Sequence, residues 1–289
     1  MTLTDHQRGL AAIAFAGLLW STGGLFIKLL PFPPLAITAW RSGFALLVFA
    51  LIFGKSVLQT NGKMWLTSLF YAATLLSFVA ATKITTSANA IFLQFTAPIY
   101  VLLLEPILFK IKLLRINFIT VCFCIFGMCL FFLDDFGGGG LSGNLLALFS
   151  GVCFAGFMLG QRANEPRTHA AAIFWGNALV VLASAPTALQ TGWPGGQSFL
   201  MLAFLGIFQI GCAYALFTYG LKRTLAIEAS LLAFVEPILN PVWVWLGYGE
   251  WPGNWAIVGG AVILTTLLIK TLVFERKLVP VKTFSSKRT

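Results

Sequence analysis

The chain has 289 residues, of which 58% are hydrophobic and only 10% are charged, whereas about a quarter of the residues in soluble domains carry a charge. This composition excludes a cytosolic enzyme, a nucleic-acid-binding protein and a secreted disulfide scaffold, and it predicts an all-α integral membrane protein. The formal net charge of +10 has a simpler explanation than nucleic-acid binding, because basic residues collect in the cytoplasmic loops of membrane proteins.

Ten apolar segments follow one another along the chain, and each is close to the length of about 20 residues that a bilayer-spanning helix needs. They cover residues 9–30, 34–53, 64–82, 86–109, 115–133, 143–163, 169–190, 197–220, 225–247 and 252–274. If the N-terminus is cytoplasmic, sixteen of the nineteen basic residues lie on the inner side and two, Lys28 and Lys83, on the outer side. This asymmetry predicts that both termini face the cytoplasm, with residues 276–289 as a basic tail. The first segment is expected to stay as a span rather than to be cleaved as a signal peptide.

Two parts of the chain share a sequence pattern that predicts an internal repeat. Seven of the seventeen positions from 83 to 99 are identical to those from 222 to 238. The aligned pairs from this match and from a weaker one upstream include Lys83 with Lys222, Pro98 with Pro237, Gly9 with Gly143 and Gly17 with Gly151. Each copy contains five predicted spans, and an odd number of spans inserts the second copy upside down. We therefore predict two inverted five-helix repeats, residues 1–135 and 143–275, around a central cavity, an architecture found in many secondary transporters.

Pro98 and Pro237 occupy matching positions within predicted spans. Neither proline can donate a backbone hydrogen bond to the carbonyl four residues earlier, which belongs to Gln94 or Ala233, so both helices are expected to kink or open there. Matched interruptions in the two halves of a transporter indicate its binding site. The two prolines are therefore candidate hinges, and Gln94 is a candidate substrate ligand. A kinked packing helix without a role in binding is the alternative.

Arg41 and Glu236 are the ionisable residues placed deep in predicted spans, where charged side chains are costly and commonly functional. Arg41 has three open roles, which are binding a substrate carboxylate, pairing with an acid, and extending toward the outer headgroups. Glu236 lies beside Pro237 and is a candidate substrate-binding or proton-coupling group, or a hydrogen-bond partner of a neighbouring helix.

Aromatic residues make up 15% of the chain, and several lie deep in the predicted spans. Those expected to line a central cavity are Trp20, Tyr71, Phe78, Phe95, Phe154, Phe157 and Tyr214. Ordinary packing is the alternative for each of them.

Motifs of catalysis and of cofactor binding are absent from the sequence. It has no G-x-x-x-x-G-K-[ST] phosphate loop, so no ATP-driven motor is predicted, and it has no H-E-x-x-H or paired-carboxylate site. The five cysteines lie in apolar segments and are expected to pack rather than to bind metal or form disulfides. We predict no catalytic residue, cofactor or metal.

Several short motifs, in their order along the chain, resemble the drug/metabolite transporter superfamily and its EamA-like ten-helix exporters. The motifs are Gly-Leu-Leu-Trp-Ser at 17–21, Trp40-Arg41, Ala97-Pro98, Glu236-Pro237 and Gly249-Glu250. The chain departs from the pattern at two places. Lys110-Ile111-Lys112 stands where the first half would carry a Gly-Glu pair, and Trp175 or Gly176 stands where Arg41 would repeat. Within the superfamily the chain is most similar to bacterial exporters of aromatic amino acids.

The resemblance implies a basket of helices around a central cavity, in the inner membrane of a bacterium, with transport out of the cytoplasm and no ATP site. It also implies that Trp20, Phe78, Phe95, Phe154 and Tyr214 face the cavity. The expected partners are a small-molecule substrate and the lipid bilayer, without nucleic acid, and the expected assembly is a monomer or weak dimer.

The sequence therefore predicts a secondary exporter of small zwitterionic metabolites, with aromatic and large neutral amino acids as expected substrates, which works by alternating access of its two halves. Three alternatives stay open at this point. They are an exporter of a drug-like amine or other metabolite in which Glu236 binds the cation, a membrane-embedded enzyme, and a channel. An enzyme is disfavoured because no nucleophile, base or metal cluster recurs at helical spacing within the spans.

Overall fold

The structure is a computed structural model that describes residues 4–110, 115–130, 133, 140–224 and 226–275. The regular structure of these residues is helical, without a β-strand. Three predicted features lie wholly or partly outside the described residues. They are the basic tail at 276–289, residues 111 and 112 of the Lys110-Ile111-Lys112 segment, and the end of the first repeat at 131–135, of which only residue 133 is described.

Fourteen α-helices make up the described part of the chain. The first seven are α1 (Asp5–Ser21), α2 (Gly23–Leu29), α3 (Pro34–Phe53), α4 (Gly62–Ile84), α5 (Ser87–Gln94), α6 (Ala97–Phe109) and α7 (Arg115–Leu130). The others are α8 (Leu141–Ala163), α9 (His169–Gln190), α10 (Gly196–Phe204), α11 (Ala213–Leu221), α12 (Ala226–Ala233), α13 (Val235–Tyr248) and α14 (Asn254–Ile269). A π-helix, Leu205–Cys212, joins α10 to α11 into one continuous helical segment. The short 3-10 helix Gly54–Leu58 follows α3, and a second one, Pro166–Thr168, precedes α9. A second π-helix, Lys270–Glu275, follows α14.

Seven helical segments in the described part of the chain are long and apolar enough to cross a membrane, which makes this a multi-pass membrane protein. They are Asp5–Leu29, Pro34–Leu58, Gly62–Ile84, Ser87–Phe109, Leu141–Ala163, Pro166–Gln190 and Gly196–Leu221. Two shorter apolar helices, Phe118–Leu130 and Asn254–Ile269, lie in the fifth and tenth predicted spans, and the ninth is divided into α12 and α13. The crossing of these three segments stays a prediction.

Polar caps and a proline set several of the helix starts. Thr4 and Gln7 form a reciprocal capping box at the start of α1. The Thr86 side chain accepts a hydrogen bond from the Asn89 amide at the start of α5, and Pro34 occupies the first turn of α3. These residues suit helix starts because the first amide groups of a helix have no acceptor within it and proline has no amide hydrogen to satisfy.

The most extensive packing joins residues 5–130 to residues 141–269. Helix α8 packs along α4, α5 and α6, and α1 packs along α11, α12 and α13. Helix α3 lies against α9 and against the π-helix Leu205–Cys212, while α7 lies against α14. The two predicted repeats are therefore not separate bodies, since each contributes helices to a shared interface.

Two spans are interrupted at matching positions near the two prolines. Helix α5 ends at Gln94 and α6 begins at Ala97, just before Pro98; helix α12 ends at Ala233 and α13 begins at Val235, just before Pro237. The predicted interruption of both helices is thus observed, while the role of the prolines as hinges stays a prediction.

Glycines of neighbouring helices lie against both interruptions. A Cβ atom built on Gly151 of α8 would lie 3.0 Å from the Leu93 carbonyl oxygen and 3.2 Å from that of Gln94. A Cβ atom built on Gly17 of α1 would lie 3.2 Å from the Leu232 carbonyl oxygen. The absence of a side chain lets these backbones approach closely. The Gln94 carbonyl, to which Pro98 cannot donate a hydrogen bond, therefore faces the backbone of α8.

Candidate functional site

A buried arginine is held by a side chain from the other part of the chain. Arg41, on α3, is 2% exposed. Its Nη2 atom donates to Oε1 of Gln209 at 3.3 Å, and Nε2 of Gln209 donates in turn to the Trp20 carbonyl oxygen at 3.4 Å. Gln209 belongs to the π-helix Leu205–Cys212, a geometry that is frequent at functional sites.

The guanidinium group of Arg41 retains unused hydrogen-bonding capacity. Its Nε and Nη1 atoms are buried and have no hydrogen-bond partner among the described residues. An arginine side chain is always charged in proteins and carries five N–H donors in fixed directions. Two of the three guanidinium nitrogens therefore lack an acceptor within the described part of the chain.

Side chains from three other helices interact electrostatically with Arg41. They are Tyr71 of α4, Tyr214 of α11 and Glu236 of α13. The rings of Tyr71 and Tyr214 pack edge to face, with 6.0 Å between their centroids. Glu236 is partly buried. We call these three residues, together with Arg41 and Gln209, the Arg41 cluster.

Aromatic rings surround the Arg41 cluster on two sides. The Trp20 ring packs against Tyr214 at 5.2 Å between centroids. On the other side, Phe157 packs against Tyr71 at 5.1 Å, and Phe154 stacks on Phe157 at 6.2 Å. The predicted site and cavity residues that the structure brings together in or against the cluster are Trp20, Arg41, Tyr71, Phe154, Phe157, Tyr214 and Glu236.

Three predicted site residues lie elsewhere in the bundle. Phe78 and the rings of Tyr71 and Phe157 belong to two different hydrophobic clusters. Phe95 packs against the cluster that contains Phe78. The Nε2 atom of Gln94 donates to the Ser150 hydroxyl at 2.8 Å. Contacts of this kind hold α4 and α5 against α8, so any role of these three residues in binding stays a prediction.

Gln209 and Asn177 belong to the site but were not predicted from the sequence. The Nδ2 atom of Asn177, on α9, donates to the Tyr71 hydroxyl at 3.3 Å and to the Ile173 carbonyl oxygen at 2.9 Å. Both residues are buried amides within apolar segments. The argument applied to Arg41 and Glu236, that polar groups inside a span face the bundle interior, could have identified them.

A polar network closes one end of the bundle. The Nζ atom of Lys28 lies 2.6 Å from Oε2 of Glu250 and donates to the Thr85 carbonyl oxygen at 2.8 Å. The Nζ atom of Lys83 donates to the Leu30 carbonyl oxygen at 2.6 Å. The two lysines predicted on the outer side therefore lie at the same end, which we call the Lys28 end.

A second ion pair joins the helix ends where the inner side is predicted. Arg162 of α8 pairs with Glu105 of α6, and the Arg162 guanidinium also lies over the Phe109 ring at 4.7 Å. This pair is more exposed than the Lys28 pair. In the described part of the chain no group of three or more His, Cys, Asp or Glu residues is placed to hold a metal ion.

Comparison with known proteins relates the chain to a sequence family, to a curated relative and to a solved structure. A sequence model of the EamA-like transporter family matches the chain over residues 7–133 and 141–272. An uncharacterized transporter of Archaeoglobus fulgidus is 26% identical over 263 residues, which cover 90% of this chain and 95% of that relative. A protein of known crystal structure is 22% identical and superposes with a TM-score of 0.65, covering 92% of this chain and 98% of that one. The likeness to the solved structure concerns the fold alone.

Proposed function

The chain belongs to the EamA-like transporter family, and from that premise we propose that it is a secondary transporter in a bacterial inner membrane that exports small zwitterionic metabolites. Aromatic and large neutral amino acids are the proposed substrates, and they bind at the Arg41 cluster. One observation carries this proposal. A buried cation and a partly buried carboxylate interact electrostatically among aromatic rings, on helices from both parts of the chain.

Alternating access of two inverted halves is the proposed mechanism. The family model matches the chain twice, and contacts recur between aligned positions. Gly17 lies against the Leu232 carbonyl as Gly151 lies against that of Leu93. A second recurring pair supports the same relation, since Cβ atoms built on Gly9 and Gly143 would lie 2.8 Å from Thr224 Cγ2 and 2.7 Å from Thr85 Cβ. These contacts favour the same helix packing in both halves. Rocking of one half against the other requires such similarity.

The aromatic walls of the Arg41 cluster favour a substrate with an apolar side chain. Trp20, Phe154 and Phe157 offer ring faces and edges, and rings pack against one another with a gain of about 0.5–1.5 kcal/mol per pair beyond their buried area. Small-molecule sites are commonly apolar surfaces with a few polar groups that fix orientation. The Arg41 cluster has this composition.

Counterflow in proteoliposomes tests the proposal. Vesicles loaded with unlabelled phenylalanine are expected to accumulate labelled phenylalanine or tryptophan, with a rate that saturates as substrate concentration rises. A flux that does not saturate would indicate a channel. Failure to move phenylalanine, tryptophan, methionine or threonine would count against amino acids as substrates.

A matched pair of aromatic variants tests where the substrate binds. Trp20→Ala removes a ring packed on Tyr214 and is expected to raise the half-saturation concentration for tryptophan by about tenfold, since a well-packed aromatic is worth one to two kcal/mol. Phe15→Ala removes a ring that is 52% exposed on the same helix and should leave that concentration unchanged. Equal effects of the two variants would contradict a binding site at the Arg41 cluster.

Export of a drug-like amine is a second candidate function. It is favoured by the carboxylate of Glu236, which forms no hydrogen bond or ion pair with the described residues and could accept a cation. Labelled amines in the same counterflow assay separate the two candidates. Transport of amines without transport of amino acids would favour the second one.

A further inference from the structure

We propose that Arg41 and Glu236 bind the two charged groups of the substrate, the guanidinium holding its carboxylate and the Glu236 carboxylate holding its ammonium group. This inference rests on the proposed function, because it assigns residues to the recognition of a zwitterion. It adds a defined orientation, in which the substrate lies between α3 and α13.

The state of Arg41 points to an anion as its ligand. Its Nε and Nη1 atoms are buried without an acceptor in the described structure, and its one hydrogen bond goes to a neutral amide, Gln209 Oε1, at 3.3 Å. Buried charged donors are strongly disfavoured unless they are paired. The planar fork of a guanidinium matches the two oxygens of a carboxylate, which can accept two parallel hydrogen bonds. A substrate carboxylate would supply the missing acceptors.

Among the acidic residues whose side chains the structure describes, Glu236 differs from the others in having no basic side chain in ion-pair contact. The five other carboxylates whose side chains are described each lie in contact with a basic side chain. The pairs are Asp5 with Arg8, Glu105 with Arg162, Glu165 with Arg167, Glu228 with His6, and Glu250 with Lys28. Glu236 instead interacts with Arg41 electrostatically and forms no ion-pair contact with the described residues. Its neighbour Val235 packs against Gly17 of α1, where a built Cβ atom would lie 3.4 Å from Val235 Cβ, three residues before Trp20 of the site. The Glu236 carboxylate is thus available to a cation that approaches from outside the protein.

Attraction without contact is the feature that selects a zwitterion. Arg41 and Glu236 carry opposite charges and interact electrostatically, yet the Arg41 side chain forms its hydrogen bond with Gln209. A monovalent anion would satisfy Arg41 alone and would be repelled by Glu236, while a simple amine would show the reverse preference. A molecule that carries both charged groups on the same carbon atom satisfies both residues at once. Its apolar side chain is then free to contact the rings of Tyr71 and Tyr214.

Three probes with the same phenyl ring separate the two charges. L-Phenylalanine carries both, 3-phenylpropionate carries the carboxylate alone, and phenethylamine carries the ammonium alone. Each is measured by its effect on the thermal unfolding midpoint of the purified protein in detergent and by inhibition of phenylalanine counterflow. The variants are Arg41→Gln, Arg41→Lys and Glu236→Gln. Lys55→Gln, which removes a positive charge from an exposed position outside the site, is the control.

The expected result is a crossed pattern. Arg41→Gln raises the half-saturation concentration for phenylalanine and 3-phenylpropionate by about 30-fold or more, the effect of losing one partner of a buried charged hydrogen bond, and leaves phenethylamine binding unchanged or stronger. Glu236→Gln weakens phenylalanine and phenethylamine and leaves 3-phenylpropionate unchanged or stronger. Arg41→Lys, which keeps the charge but loses the fork, gives an intermediate effect. The Lys55 control matches the wild type.

Several outcomes would overturn the inference. Arg41→Gln and Glu236→Gln could weaken all three probes equally, which would indicate a structural role, or carboxylate probes could fail to bind the wild type. If Arg41→Gln does not fold, Arg41→Lys serves as the test variant in its place. An Arg41→Lys variant that binds every probe as the wild type does would refute a bidentate contact. Failure of the proposed function looks different. The wild type would then move no amino acid, while Arg41-dependent binding of 3-phenylpropionate would persist.

Discussion

Breaking the ion pair between Lys28 and Glu250 is expected to destabilise the folded protein. The Nζ atom of Lys28 lies 2.6 Å from Oε2 of Glu250 and also donates to the Thr85 carbonyl oxygen at 2.8 Å. The second oxygen of Glu250 accepts a hydrogen bond from the Ser87 amide at 2.6 Å. Lys28 of α2 and Glu250, which follows α13, thus both bind the backbone of the connection between α4 and α5. Glu250→Gln keeps an acceptor for the Ser87 amide and removes the charge.

The size of the effect follows from burial. The Lys28 and Glu250 side chains are 10% and 17% exposed, so water screens them only in part. Removing one partner of a buried pair costs about 3–5 kcal/mol, whereas an exposed pair contributes about 0–1 kcal/mol. We expect Glu250→Gln to lower the free energy of unfolding by about 2 kcal/mol, and a double-mutant cycle with Lys28→Met to give a coupling of about the same size.

The Arg162 and Glu105 pair provides the matched comparison. Its side chains are 49% and 24% exposed, so its coupling in the equivalent cycle should stay below about 1 kcal/mol. Unfolding free energies of both sets of variants can be measured by titration with SDS in mixed micelles. Equal coupling of the two pairs, or wild-type stability of Glu250→Gln, would refute the argument from burial.

Two further predictions concern packing and topology. Gly151→Leu is expected to lower the unfolding free energy by about 1–3 kcal/mol because the new side chain is forced against backbone carbonyls. Gly43→Leu, whose built Cβ has no neighbour within 4 Å, should cause no such loss in the same titration. In a cysteine-free background, cysteines at Ile84, which is 45% exposed, and at the exposed Lys222 should react with an impermeant maleimide from opposite sides of the membrane. Reaction of both from the same side would rule out inverted halves.

The positions of the helices could be predicted from the sequence because the bilayer imposes a simple length requirement. Each apolar segment must run long enough to hydrogen-bond its own backbone across the hydrocarbon core, and Pro98 and Pro237 mark where that pattern is interrupted. Polar residues inside spans were also informative. Arg41 is buried and Glu236 is partly buried, and the two interact electrostatically, as expected for charged groups that avoid lipid.

The direction of the aromatic side chains could not be predicted in the same way. Lipid and protein interior are both apolar, so a Phe at a given depth is equally compatible with either. Phe78 and Phe157 illustrate this ambiguity, because both are buried but they belong to different hydrophobic clusters. The rotation of each helix about its axis is set by close contacts such as Gly151 against Leu93, which depend on the pairing of distant helices.

The scaffold contacts of the proposed repeat recur in both halves, but the polar groups of the Arg41 cluster do not. Glu236 aligns with Ala97, and Arg41 aligns with Trp175 or Gly176. A molecule with a carboxylate and an ammonium group on one carbon atom has no twofold symmetry, so a site that distinguishes the two groups must differ between the halves. Rocking requires similar halves, while recognition requires a local difference between them. Departures from the repeat at buried polar positions are therefore the places where substrate recognition is expected, and Arg41 and Glu236 are two of them.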